Sequence, residues 1–428
     1  MGYKLFFYLS LLLLFLNNYV HAFGQTELFF SSSKENIISL PEEWYFRAGD
    51  LEEFKNKNYD HSQWGKKRID KSWHWHKELR GYNGNVWYRI DFNYDNSQNN
   101  HGDLALLVPI HYSGAQFYLN GVLVKETRPF INGVSTHEIG KPDMIVLPSS
   151  LLASGKNVIA IRSGTFDYNS GFEGKLYIGT LQHISKQFIL NIFWYGLLIG
   201  INVFLAFYFI VFYFYRRKEY FYLYFSGMAF TFALWTCGYL GYILWLIDSM
   251  KVYLFSTYLG SVCIVIFALL FIHSFLSLKI NLFSKFLLSV LVFLFVYSLL
   301  EISFTGLVFS YRLYLFKVFL LICLVFMIYS SILAFYAIRI KRPYALRILF
   351  GIIVAYLFIL LSVLSWLHLI DYTATSIEPF LAMIIVFATV LASRYASVFN
   401  SLEKANADLL ILDKMKDDFL ATTSHELR

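Results

Sequence analysis

The hydrophobic and polar positions divide this chain of 428 residues into three parts. After an apolar run at its start, short stretches of alternating polarity continue to about residue 185. Long apolar stretches then follow to about residue 393, with charged residues mostly between them. The last segment alternates apolar and charged positions at helical spacing. This pattern predicts a multidomain membrane protein with an exported all-β part, a transmembrane bundle and a helical tail.

Residues 1–22 have the pattern of a secretory signal peptide. Lys4 precedes an apolar core at Leu5–Leu16, and Val20-His21-Ala22 offers a cleavage site. The core is shorter than the ~20 residues that a span needs, so we predict a signal peptide and not a first transmembrane helix. The following domain, residues 23–185, is therefore predicted to be exported. It has no cysteine, so no disulfide is expected there.

Short strand patterns recur through the exported domain. Val86–Phe92 alternates as a half-buried strand does, and Leu104–Val108 fits a short buried strand. Asn120-Gly121 between apolar runs is typical of a two-residue hairpin turn. Further strands are predicted at Val158–Ile161 and Leu176–Ile178. Strands at this spacing predict a β-sandwich.

Three motifs make this domain similar to a known fold. Trp87-Tyr88-Arg89, Phe117-Tyr118-Leu119-Asn120-Gly121 and the stretch from Leu147-Pro148 to Gly155-Lys156-Asn157-Val158 resemble the jelly-roll, galactose-binding-like domain. That fold accompanies many glycoside hydrolases as a non-catalytic module, and it is the sensor domain of some bacterial seven-helix receptors. The resemblance implies a carbohydrate or a carboxylated small molecule as ligand.

The sequence Trp73-His74-Trp75-His76 would place two indoles on one face of a strand and two imidazoles on the other. Three interpretations stay open: a platform on which a sugar stacks, a two-histidine metal corner, and a tryptophan-rich core face with solvated histidines. No third ligand at a suitable spacing supports a metal, so no metal site is predicted. The candidate ligand-binding residues are Trp73, Trp75, Trp87 and Arg89.

Hydrophobic residues make up 57% of the chain, and the mean hydropathy is +0.52, which is too apolar for one soluble fold. Residues 186–395 form the predicted transmembrane domain. Lys and Arg concentrate in alternate loops, most densely at Arg339-Ile340-Lys341-Arg342, and this places the tail in the cytoplasm. The apolar stretches predict seven spans, at 188–215, 221–246, 252–278, 286–304, 313–338, 348–370 and 375–393.

A few special residues fall within or near these spans. For the ionisable ones, a functional role and snorkelling to the membrane surface both stay open. Pro379 in the last span is a candidate for a helix kink. The ionisable residues are His273, Glu301, Lys317, His368 and Glu378.

An exported jelly roll, seven spans and a cytoplasmic module together resemble the bacterial seven-transmembrane receptors with diverse intracellular signalling modules. Members of that family carry different outputs, among them histidine kinases, cyclic-dinucleotide synthases and phosphatases. The resemblance covers about residues 40–395 and implies a receptor in the bacterial inner membrane. The output must be inferred from the tail, residues 396–428.

The tail begins as a helix with a regular apolar seam. The seam has the 4-3-4-3 spacing of a coiled coil, and charged residues lie off it. We therefore predict a homodimer, and the alternative is a short amphipathic helix lying on the membrane. The seam positions are Val398, Leu402, Ala405, Leu409 and Leu412.

The end of the tail, Phe419-Leu420-Ala421-Thr422-Thr423-Ser424-His425-Glu426-Leu427-Arg428, resembles the phospho-acceptor box of sensor histidine kinases. The resemblance implies that His425 accepts a phosphoryl group and that Glu426 orients and activates it. In that family a Thr-Pro-Leu sequence, a second bundle helix and an ATP-binding domain follow. None of these follows within this chain, so ATP and Mg²⁺ are expected to bind a domain outside it. We expect no autophosphorylation by this chain alone.

Taken together, these features predict a sensor histidine kinase of a two-component phosphorelay. The expected partners are a second copy of the chain, the aspartate of a response regulator, an extracytoplasmic small molecule or carbohydrate, and membrane lipid. No nucleic-acid partner is predicted. The alternative is a non-enzymatic receptor that binds a carbohydrate or small molecule, and a less favoured one is an exported hydrolase with a membrane anchor.

Overall fold

The structure is a computed structural model. The predicted signal peptide lies outside the described residues, and so do His74, Trp75, His368 and Leu427-Arg428. The structure describes residues 29–30, 37–73, 76–79, 82–94, 102–109, 111–131, 134–135, 141–165, 170–172, 174–247, 249–304, 309–366 and 377–426.

Thirteen described strands precede the α-helices; eleven of them form two main sheets, and β9 and β10 pair with each other. They are β1 (Phe29–Phe30), β2 (Ile37–Ser39), β3 (Glu43–Ala48), β4 (Gly65–Arg68), β5 (Gly84–Tyr94), β6 (Leu104–Val108), β7 (Ala115–Leu119), β8 (Val122–Glu126), β9 (Phe130–Ile131), β10 (Val134–Ser135), β11 (Asp143–Leu147), β12 (Gly155–Thr165) and β13 (Tyr177–Thr180).

The two main sheets stack as a β-sandwich. The larger has the order β4-β3-β5-β12-β7-β8, with β1 parallel to β5, and the smaller has the antiparallel order β11-β6-β13-β2. Alternate residues of both sheets meet in one core, which includes Tyr88 and Phe92 of β5, Leu106 of β6 and Ile178 of β13. The predicted sandwich is confirmed at this level, and its jelly-roll class stays a prediction.

The Asn120-Gly121 turn is confirmed as a two-residue hairpin. Leu119 pairs with Val122 directly across it, and Asn120 and Gly121 have φ angles of 51° and 91°. Such angles are those of a type I′ turn, whose twist matches the strands on either side. The Asn120 side chain also accepts the backbone N–H of Val158 at 2.9 Å and so ties the turn to β12.

The prediction that Val86–Phe92 is half-buried was wrong in one respect. Even-numbered residues of β5 face the sandwich core as expected, but Trp87 and Arg89 on the opposite face are buried too. The segment between β3 and β4 covers them with the rings of Phe54 and Trp64. A second, smaller aromatic core therefore lies on the outer face of the larger sheet.

Nine α-helices are described after the strands. They are α1 (Leu181–Tyr215), α2 (Phe221–Tyr239), α3 (Ile243–Leu246), α4 (Met250–Leu254), α5 (Gly260–Phe275), α6 (Leu282–Phe304), α7 (Phe309–Arg339), α8 (Ala345–Trp366) and α9 (Ile377–Glu426).

These helices coincide with the predicted spans, with α4, a π-helical turn at Phe255–Leu259 and α5 making one continuous rod. The second predicted span is divided, because α2 ends before Gly241, which has a φ of 72°. Five segments of the described chain are long and apolar enough to cross a membrane: Leu181–Tyr215, Lys251–Phe275, Leu282–Ser303, Leu321–Arg339 and Phe380–Asp417. A count of seven stays a prediction from sequence.

The helix α9 continues from the apolar bundle into the tail without a break. The first described residues of this helix are Ile377, Glu378 and Pro379. Residues 367–376 lie outside the described part of the chain, so the kink at Pro379 stays a prediction. From about Phe380 to Leu391 the helix packs into the bundle, and after Arg394 nearly all of its described side chains are exposed.

Candidate functional site

The two predicted catalytic residues lie at the far end of α9. His425 and Glu426 are consecutive residues in the last described turn of this helix of 50 residues. At about 1.5 Å per residue, His425 stands some 45 Å from Arg394, where the helix leaves the bundle. The structure therefore places residues 419–426 of the phospho-acceptor-like box on the same helix as the last apolar span. Their catalytic roles stay predictions.

The predicted seam on α9 faces no other part of the described chain. Leu402 is 63% exposed and Leu409 is 64% exposed, and Leu412 is similarly exposed. A helical stripe of large apolar side chains is normally buried against a partner. These three leucines are not buried against the described part of their own chain, and pairing with a second copy stays a prediction.

Trp73 lies in the core of the sandwich and not on a surface strand. Its indole Nε1 donates to the hydroxyl of Tyr88 at 3.0 Å, and its backbone N–H donates to the carbonyl of Ser170 at 2.7 Å. Gly171 has a φ of +86°, and a Cβ there would lie 2.6 Å from the indole. The prediction of a strand at Trp73-His74-Trp75-His76 was wrong for its described residues, which form a turn leading into the 3₁₀ helix Lys77–Leu79.

Arg89 holds the segment that covers its own sheet. Its guanidinium donates to the backbone carbonyls of Phe54 and Asn56, the second at 3.0 Å, and lies about 6 Å from the ring of Tyr59. Burial lowers the pKa of Arg89, and the carboxylate of Asp91 partly restores it. Trp87 is buried beside it under the rings of neighbouring aromatic residues.

None of the three described candidate ligand residues presents a side chain to solvent. Trp73, Trp87 and Arg89 are all about 99–100% buried. This placement agrees with the core interpretation of the tryptophans, and ligand binding by these residues stays a prediction. Among the described residues, no group of three or more His, Cys, Asp or Glu side chains is arranged to hold a metal ion.

The sandwich is joined to α1 without a linker. The strand β13 ends at Thr180, and α1 begins at Leu181, whose N–H donates to the carbonyl of Asp103 at 2.9 Å. The Thr180 hydroxyl lies 2.7 Å from Nδ1 of His183 in the first turn. Ile184 is fully buried against the outer face of the smaller sheet. The first turns of α1 are therefore part of the sandwich.

A second contact joins the loop between β6 and β7 to the helical domain. Tyr112 packs against a cluster formed by Leu244, Tyr253 and Ile302, which lie at the helix ends nearest the sandwich. Its backbone N–H donates to the carbonyl of Gly171 at 2.9 Å, so the loop is also tied to the sandwich core. Sequence reasoning missed Tyr112, because a lone tyrosine in a loop carries no pattern.

His111, directly before Tyr112, is buried with both ring nitrogens lacking an aligned hydrogen-bond partner. Its ring lies 6.0 Å from that of Phe172. Burial lowers the pKa of His111 to about 4, against a smaller opposing effect of the Pro109 carbonyl. A buried imidazole without good partners strongly favours its neutral form.

His273 is buried, so the snorkelling interpretation of this residue was wrong. Its Nε2 lies 2.8 Å from Oγ of Ser284. The same Oγ lies 2.5 Å from the hydroxyl of Tyr329, and that hydroxyl donates to Oδ1 of Asn281 at 2.9 Å. The Ser284 N–H, 2.8 Å from the same Oδ1, fixes the orientation of that amide. This chain of hydrogen bonds fastens α5, α6 and α7 together.

Comparison with known proteins supports a receptor for the helical part. A family model described as 7TM diverse intracellular signalling matches residues 191–395. The match supports a seven-transmembrane receptor family and a membrane sensory role in signalling. Together with the long apolar helices, it indicates a multi-pass membrane protein. A search of curated proteins finds no match.

Glycoside hydrolases of known structure match about a third of this chain, at low sequence identity. A glycosyl hydrolase family 2 member from Bacteroides cellulosilyticus DSM 14838 is 20% identical, with 34% of this chain and 20% of that chain covered and a TM-score of 0.28. Beta-glucuronidases from an uncultured Clostridium sp. and from Bifidobacterium dentium are each 16% identical to this chain, with TM-scores of 0.27. Each match covers 36% of this chain, and it covers 31% of the Clostridium protein and 32% of the Bifidobacterium protein. The chain spans between a fifth and a third of these proteins, and such TM-scores carry no argument.

Proposed function

We propose that this chain is the sensing part of a histidine kinase in a two-component phosphorelay. The observation that carries the proposal is the place of His425, in a sequence that resembles a phospho-acceptor box at the end of a helix that begins in the bundle. The receptor-family match over the helical domain supports the sensory half of the proposal.

The proposed reaction is phosphoryl transfer to the imidazole. A neutral ring nitrogen of His425 attacks the γ-phosphorus of ATP, the bond from that phosphorus to the bridging oxygen breaks, and ADP leaves. Glu426 takes the proton that the imidazole loses. An ATP-binding domain of the kind such kinases have would hold ATP and Mg²⁺. The phosphoryl group would then pass to an aspartate of a response regulator.

The proposed input is a ligand of the sandwich, a carbohydrate or a carboxylated small molecule, outside the cytoplasm. Two contacts would pass its effect to the bundle: the direct junction of β13 with α1, and Tyr112 in its cluster. The exposed stripe on α9 would pair with the same stripe of a second copy on the cytoplasmic side of a bacterial inner membrane.

The test is phosphorylation of the full chain in lipid nanodiscs, mixed with a separately expressed histidine-kinase ATP-binding domain and γ-labelled ATP. We expect a label on the chain that is stable in alkali and lost in acid, as a phosphoramidate is. His425→Gln should remove it, and Glu426→Gln should slow its appearance by ~100-fold, since a general base is worth about that factor. His183→Gln is the matched control and should leave the label unchanged.

A label that persists in His425→Gln would overturn the assignment of the acceptor. No label, with an ATP-binding domain that phosphorylates its own phospho-acceptor domain in the same assay, would favour the alternative of a non-enzymatic receptor. Pairing of α9 can be followed separately, by disulfide formation in Leu409→Cys, so a failure of the chemistry does not hide a dimer.

A further inference from the structure

Arg394 lies at the point where α9 leaves the bundle. Before it, α9 is packed among the other helices through residues such as Phe387 and Leu391. After it, the described side chains out to residue 420 are exposed, with small exceptions such as Val398. The direction of the whole tail is therefore decided by what holds the helix close to Arg394.

The guanidinium of Arg394 is held by two aromatic rings, and it forms no salt bridge with a carboxylate of the described residues. Its Cζ lies 4.3 Å from the ring centre of Phe221 and 5.3 Å from that of Phe275. Arginine binds the face of an aromatic ring through the ring quadrupole, and more strongly where water is partly excluded. Arg394 is half-buried here. Its contact thus fixes one side of α9 against two other helices.

The rings around Arg394 also hold one another, and we call Phe221, Phe275 and Tyr344 the exit collar. The rings of Phe221 and Phe275 meet edge to face at 5.3 Å, and those of Phe275 and Tyr344 lie 6.0 Å apart. The Tyr344 hydroxyl also lies 3.5 Å from the carbonyl of Ser393 on α9. The collar therefore joins the first residue of α2, the last residue of α5 and the turn before α8 to one place on α9.

We propose that Arg394 and the exit collar set the direction of the tail and so act as its positioning contact. A shift of α2, of α5 or of the turn before α8 moves the collar, and the stacked guanidinium carries that shift to α9. A rigid helix enlarges a change of angle with distance: about 10° at Arg394 moves Lys414, some 30 Å away, by about 5 Å. Arg394 is thus a positioning residue for whatever output the tail serves.

This inference rests on the proposed signalling role of α9, but its test needs no phosphorylation. Spin labels are placed at Lys218→Cys, in the turn between α1 and α2, and at Lys414→Cys on the tail. Cys237, Cys263 and Cys323 are replaced by alanine. The full chain is studied in nanodiscs, diluted with unlabelled chain so that only distances within one chain are measured by pulsed electron paramagnetic resonance.

With Arg394 intact we expect one narrow distance distribution. Arg394→Ala should broaden it and shift its mean by several ångströms, whereas Arg394→Lys, which keeps a cation for the rings, should largely restore it. The ring variant Phe221→Leu should broaden the distribution as Arg394→Ala does, and the two changes together should add little. Arg339→Ala is the matched control, because that arginine stacks at 5.4 Å on Phe335, a ring of α7 that is not part of the collar.

Thermal unfolding of each variant is followed by helical circular dichroism to show that the bundle remains folded. A distribution for Arg394→Ala that superimposes on that of the parent chain would overturn the proposal. So would a broad distribution for Arg394→Ala with a narrow one for Phe221→Leu, because the cation would then act without the rings. Neither result depends on whether His425 is phosphorylated.

Discussion

Acid should weaken the sandwich through one histidine. His111 is buried with its pKa lowered to about 4, while in the unfolded chain the same imidazole has its ordinary pKa of 6.5. Between about pH 4 and pH 6.5, His111 is therefore mostly protonated in the unfolded chain and mostly neutral in the folded chain. The free energy of unfolding falls as the pH falls, and the loss levels off below about pH 4, where both states are protonated.

The size of the effect follows from the difference between the two pKa values. One pKa unit corresponds to about 1.4 kcal/mol, so the full loss is about 3 kcal/mol. Between pH 7.5 and pH 5.0 the loss is about 2 kcal/mol, since most of the titration of the unfolded chain is then complete. Replacing His111 with leucine, which has a similar volume and does not titrate, should remove this part of the pH dependence.

The measurement is urea unfolding of the full chain in nanodiscs at pH 7.5 and pH 5.0, followed by the emission of the sandwich tryptophans. The quantity compared is the change in unfolding free energy between the two pH values, for the parent chain and for His111→Leu. At pH 7.5 the variant should unfold within about 1 kcal/mol of the parent, because it removes a buried polar group without good partners. His183→Gln, at the start of α1, is the control.

Equal pH dependence in the parent chain and in His111→Leu would refute the reasoning. It would mean that the imidazole reaches water or a carboxylate when it is protonated, at no cost to the fold. A larger pH dependence in the variant would refute it as well. Acid-sensitive groups elsewhere in the sandwich contribute equally to both proteins, so they cancel in the comparison.

Two further predictions concern packing. Gly171→Ala should lower the unfolding free energy of the sandwich by about 3 kcal/mol, because the new Cβ would lie 2.6 Å from the indole of Trp73. Gly155→Ala is the control: Gly155 has a similar φ of +88° but open space around it, so the change should lower the unfolding free energy by about 1 kcal/mol. Ser284→Ala or Tyr329→Phe should each destabilise the helical domain by about 1 kcal/mol, seen as a lower melting temperature in detergent. The double change should cost little more than either alone, and full additivity would contradict a single hydrogen-bonded chain.

Local features of the sandwich could be predicted from the sequence because neighbouring residues decide them. The Asn120-Gly121 turn needs only two residues that accept positive φ, and the alternation in β5 needs only a strand. Burial of the outer face of β5 could not be predicted, since Phe54 covers it from a separate segment. The turn at Trp73 was missed for the same reason, because its conformation depends on Gly171, which is distant in sequence.

In the helical domain, the apolar stretches predicted where the helices lie, but the contacts between helices could not be predicted from the sequence. His273 is near the end of a span, so its neighbours in sequence suggest a side chain that reaches the membrane surface. Its actual partner Ser284 lies on the next helix, and Tyr329 lies on the one after that. In the sequence, nothing distinguishes Arg394 from the other positively charged residues near the spans, and its contacts with the rings of Phe221 and Phe275 are seen only in the structure. The resemblance at His425 needed no fold at all, because it lies in consecutive residues.

The direct junction of β13 with α1 has a consequence for how the sandwich sits on the membrane. With no linker between Thr180 and Leu181, the sandwich cannot rotate independently of α1, and its orientation relative to the helical domain is fixed. Each residue added at this junction would turn the sandwich by about 100° around the axis of α1 and lift it by about 1.5 Å. Two copies related by a twofold axis would therefore hold their sandwiches at one fixed separation and one mutual orientation.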